Sequence, residues 1–82
     1  MNKEKGIESK EVEGETILFN KKNEFFVLNK TGTFIWKKIN GKNSENQIAS
    51  ELTKKYGIKK EKALKDTKEL IKKLSSLKLI KK

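Results

Sequence analysis

The sequence predicts an α+β fold in which the strands come first and the helices follow. Two short apolar runs, Thr16 to Asn20 and Glu24 to Leu28, flank the polar triplet Lys21-Lys22-Asn23, which is the pattern of a β-hairpin. From Asn29 onward the apolar residues recur at helical spacing, with start and stop signals at Ser44 and Gly57. The chain has 82 residues, 33% of them apolar and 39% charged, which allows one domain with a small core. Four of the six aromatic residues fall between Phe25 and Trp36, so the core must form around that segment.

Residues 1 to 6 are polar and are expected to be frayed. Ile7 to Val12 has the makings of a short strand, closed by Gly14. The hairpin comes next. A loop made of Lys21, Lys22 and Asn23 pairs Phe19 with Phe25, Leu18 with Phe26 and Ile17 with Val27, and leaves Asn23 in the left-handed conformation that Asn tolerates. In this register Leu18, Phe26 and Leu28 share one face, while Ile17, Phe19, Phe25 and Val27 share the other. One apolar face should receive the helices. The other is left exposed, covered by the N-terminal segment, or used by a partner.

The first helix starts at Asn29 or Thr31, either of which can cap it, and ends near Asn40-Gly41, with Ile35, Trp36 and Ile39 as its stripe. The second opens on the capping box Ser44-Glu45-Asn46-Gln47, places Ile48, Ala49, Leu52 and Tyr56 on one face, and stops at Gly57. The third runs from about Lys60 to Ser76. Ala63, Thr67, Leu70 and Leu74 form its stripe, Leu77 extends it, and Leu64 and Ile71 lie to one side. Leu79-Ile80 forms a short tail that folds back on the core.

Composition narrows the chemistry. With no Cys and no His, disulfides and the usual nucleophile–base pairs cannot be built. No phosphate-binding glycine loop is present. These absences point to a binding protein, not an enzyme, with no metal or cofactor of its own. The first residues carry no apolar core of a secretory signal and no run is long enough to span a membrane, so a cytoplasmic location is expected. The formal net charge is +10, carried by lysine alone, with no arginine. Lysines scattered along a chain most simply make a solvated surface, and lysine lacks the planar fork that suits arginine to reading guanine.

Two binding readings follow. In the first, helices two and three form a helix-turn-helix for nucleic acid. A winged version usually has its hairpin after the recognition helix, whereas here it comes before, and the third helix lacks the Arg, Asn and Gln that read base edges. In the second, Glu24, Phe25, Phe26, Val27 and Leu28 form an edge strand whose outer backbone groups accept an extended peptide. The flank of helix three supplies the other wall, with Leu64 and Ile71 for apolar side chains and Lys68 and Lys72 for acidic ones. The alternative for Leu64 and Ile71 is that they only widen the core contact.

Leu18, Phe26-x-Leu28-Asn29-x-Thr31-Gly32-x-x-Ile35-Trp36-x-x-Ile39-x-Gly41, Ile48-Ala49-x-x-Leu52, Tyr56-Gly57, Ala63-x-x-Asp66, Leu70-x-x-x-Leu74 and Leu79-Ile80 together resemble the PqqD family, also called RiPP recognition elements, over residues 14 to 80. The resemblance implies a three-stranded antiparallel sheet followed by three helices, similar to a winged helix-turn-helix. It implies binding of the leader segment of a ribosomally made precursor peptide along the third strand and against the third helix, and the domain's occurring alone suggests a standalone, non-catalytic carrier. Carried onto this chain, the helix wall is Leu64, Thr67, Lys68, Ile71, Lys72 and Ser75. The implied partner is a maturation enzyme, either a radical-SAM enzyme or a leader peptidase. The Phe19/Phe25 face is left for that enzyme or for a homodimer. The chain departs from the family pattern at Lys78, where a glycine is common.

Overall fold

The computed structural model describes residues 1–81. In chain order it contains β1 (Asn2–Lys3), β2 (Glu8–Val12), β3 (Glu15–Phe19), β4 (Phe25–Leu28), α1 (Lys30–Lys38), α2 (Glu45–Tyr56), α3 (Lys60–Ser76) and β5 (Ile80–Lys81). Strands β2, β3 and β4 form an antiparallel meander in that order, followed by the three helices. This is the expected α+β architecture.

The hairpin has the register that the loop dictates, with Phe19 opposite Phe25, Leu18 opposite Phe26 and Ile17 opposite Val27. Asn23 has φ +63 and so takes the left-handed position. The Asn20 N–H donates to the Glu24 carbonyl at 3.0 Å, and the Asn23 N–H donates to the Asn20 carbonyl at 3.0 Å. The inward face of the sheet carries buried Thr16, Leu18 and Leu28 with half-buried Phe26. They meet α1 through Ile35, Trp36 and Ile39, which are also buried.

Local signals end and start the helices. Asn29 caps α1 by accepting from the Gly32 N–H at 2.8 Å. Gly32 is buried beside Leu28, and a Cβ there would come within 3.3 Å of Leu28 Cβ. The Thr16 hydroxyl donates to the Thr33 hydroxyl at 2.8 Å and ties β3 to α1. The Ser44–Gln47 capping box of α2 is fully formed, and Gly57 (φ +67) ends that helix.

The N-terminus differs from expectation. Residues 1–6 are not simply frayed, because Asn2 and Lys3 pair with Lys81 and Ile80 in a second, two-stranded sheet. The polar sequence concealed this, since β1 is held by backbone bonds at its partner's edge and by Lys3, whose ammonium lies 4.7 Å from the Trp36 ring centroid. Partial burial there pulls the Lys3 ammonium below the ordinary lysine value. Lys78 also departs from a simple reading. Leu79 N–H bonds back to Leu74 and Lys78 N–H to Ser75, the double closure of a Schellman turn, with Lys78 at φ +59 in the place glycine favours.

Candidate peptide-binding edge

Strand β4 is an edge of the three-stranded sheet. The phase of its free groups follows from the hairpin. In an antiparallel pair, hydrogen-bonded and non-bonded positions alternate. The Asn20–Glu24 bond therefore makes Leu18–Phe26 and Thr16–Leu28 the bonded pairs, and leaves Phe19–Phe25 and Ile17–Val27 non-bonded. The N–H and C=O groups of Phe25 and Val27 thus point away from β3, and no backbone partner meets them among the described residues. They are four unpaired groups on an exposed edge.

A cleft of about 380 Å³ runs beside this edge. Phe25 to Leu28 form its strand side, Gly32 its floor, and Leu70, Lys73, Leu74 and Leu77 its helix side. An adjoining hollow extends past Leu70 and Lys73 to Asp66 and Glu69 in the middle of α3 and to Ile58 ahead of it. The cleft exists because α3 packs mainly on α2 and β5 and does not close onto β4. A Cβ at Gly32 would crowd Leu28 and the Asn29 Oδ1 that caps α1. Among the described residues no cluster of three metal-ligating side chains occurs, and no helix is long and apolar enough to cross a membrane.

The structure brings together only part of the expected set. Phe25, Phe26, Val27 and Leu28 line the cleft. Glu24 sits just outside it in the loop, accepting from Asn20 Nδ2 at 2.9 Å. On α3 the expected residues lie elsewhere. Thr67 and Ile71 are wholly buried and belong to the core. Leu64 and Ser75 are half-buried, Lys68 and Lys72 are exposed, and none of the four lines the cleft. The helix wall comes instead from the opposite margin of the stripe, at Leu70, Lys73 and Leu77. Spacing placed Leu70 and Leu77 in the stripe, and their incomplete burial is what identifies them as wall residues.

The outward face of the sheet is also open. Phe25 and Val27 are 64% and 58% exposed, with half-buried Ile17 and Phe19 beside them on β3. Neither the helices nor the N-terminal segment covers this face.

Comparison with known proteins gives one family and two close folds. The family model described as "Coenzyme PQQ synthesis protein D (PqqD)" matches residues 15–80. The solved structure of TbiB1 in complex with the TbiA(beta) leader peptide superposes with a TM-score of 0.88 at 17% identity, covering 99% of this chain and 95% of that one. The structure of lasso peptide synthetase B1 complexed with the leader peptide gives 0.87 at 20% identity, covering 99% and 96%. No curated protein matches the chain in sequence.

Proposed function

Because the chain belongs to the PqqD family, we propose that it is a RiPP recognition element, which captures the leader segment of a ribosomally made precursor peptide by strand addition. The observation that carries the reading is the open edge of β4, with the Phe25 and Val27 backbone groups unpaired beside an apolar cleft. An extended peptide on that edge would gain backbone hydrogen bonds. Its residues opposite Phe26 and Leu28 would turn into the cleft against Leu70, Leu74 and Leu77, and specificity would come from there. That two proteins of the same fold are known bound to leader peptides supports the reading.

The role is non-catalytic and cytoplasmic. The captured peptide is presented to a maturation enzyme, a radical-SAM enzyme or a leader peptidase. The exposed Phe19/Phe25 face is offered to that enzyme or to a second copy of the chain. Nucleic acid is disfavoured because the margin of α3 beside β4 is apolar at Leu70 and Leu77, and its Lys62 and Lys73 are balanced by Asp66 and Glu69.

The test is a titration of synthetic leader peptides of ribosomal precursors into isotope-labelled protein. Amide shifts should concentrate in Phe25–Leu28 and around Leu70, Lys73 and Leu77. Shifts confined to α2 and the Lys68/Lys72 side of α3 would refute it.

A further inference from the structure

A second hollow, of about 340 Å³, lies at the hairpin end of β4 and shares Leu77 with the cleft. Three separate segments bring lysines to it: Lys5 after β1, Lys21 and Lys22 in the hairpin loop, and Lys78 after α3. Its two acids already have partners. Glu4 lies 3.8 Å from Lys81 Nζ, and Glu24 accepts from Asn20. Among the described residues the ion pairs involve Lys37, Lys38, Lys62 and Lys81, and none involves these four lysines.

One of the lysines is placed by backbone geometry that works against a side chain. Lys78 holds φ +59 at a turn position that favours glycine, yet it carries a long cationic side chain into the hollow. The stem of Lys21 lies across Gly6, where a Cβ would come within 2.5 Å of Lys21 Cε. A residue kept in a disfavoured conformation is reasonably sought a role beyond the fold.

The geometry points to an anion subsite of the peptide edge: the hollow takes an aspartate or glutamate of the bound peptide, just beyond the segment that pairs with Phe25. This rests on the peptide-capture reading. A carboxylate fits better than a run of phosphates, because Glu4 and Glu24 flank the lysines and leave a formal excess of only two positive charges. Leu77 borders both the hollow and the cleft, so an extended chain lying along β4 reaches from one to the other.

The test starts from a displayed library of random twelve-residue peptides panned on the whole chain. Binders that shift the Phe25 and Val27 amides should carry Asp or Glu at a fixed offset from an apolar core. Lys21→Gln, Lys22→Gln and Lys78→Gly should each weaken them by about two- to five-fold, the range of an exposed ion pair. That loss should shrink in about 0.5 M salt. Lys78→Gly should also raise the unfolding midpoint, which separates lost contact from lost structure. Binders at β4 with no acidic preference and equal affinity for all three variants would overturn the subsite and leave peptide capture standing. A library that yields no binder at β4 would overturn both.

Discussion

Leu70 and Ile71 are adjacent in sequence but have different roles. Ile71 is fully buried, and Ile71→Ala should cost about 2–5 kcal/mol, read as a lower urea midpoint. For a domain of this size that is a large share of total stability. Leu70 is half-buried at the cleft, and Leu70→Asp should leave the protein folded by circular dichroism while weakening peptide binding at least about ten-fold, as loss of a central apolar contact does. Thr67 supplies a third check. Its hydroxyl is buried with no hydrogen-bond partner. Thr67→Val should therefore be neutral or stabilising by up to about 1 kcal/mol, with peptide affinity unchanged.

Among the elements, β4 and α3 were not equally legible. The hairpin could be read almost completely, because loop length fixes register and Asn23 was the one loop residue suited to positive φ. The caps at Ser44 and Gly57 were equally local and equally clear, whereas the α1 cap stood open between Asn29 and Thr31 until the structure gave it to Asn29. The cleft wall was not, for a physical reason. From Leu77 to Leu64 the apolar residues of α3 span roughly 140° of the helix at about 100° per residue. An arc that wide can be buried toward either margin, and periodicity does not say which neighbour closes on it. Here α2 and β5 cover the Ile71 margin, leaving Leu70 and Leu77 to face β4. The β1–β5 pair was hidden for a related reason, since its partners are almost eighty positions apart and three of the four residues are polar. The edge itself makes a sharp prediction. Val27→Pro removes an N–H that points away from β3, a position where an edge strand tolerates proline. The variant should stay folded and lose peptide binding. Phe26→Pro removes an N–H bonded to β3 and should destabilise the hairpin. Thermal melts beside binding isotherms distinguish the two.

Taken as a whole, the molecule is a sheet–helix scaffold with an open edge, a lysine-rich surface and an uncovered apolar face. The net charge of +10 should give weak attraction to any polyanion. Affinity for random duplex DNA is accordingly expected to be low and to fall steeply between low and physiological salt, whereas peptide binding should largely survive because backbone bonds and Leu70, Leu74 and Leu77 carry it. Fluorescence anisotropy with both ligands over one salt series would check this. The central claim is that β4 accepts a strand through the outward groups of Phe25 and Val27. Amide hydrogen exchange at single-residue resolution tests it most directly, with and without a peptide selected for binding. The Phe25 and Val27 amides should exchange freely in the unbound protein and become strongly protected on binding, while Phe26 and Leu28 are protected in both states. Binding that leaves Phe25 and Val27 exchanging at their free rates would contradict strand addition.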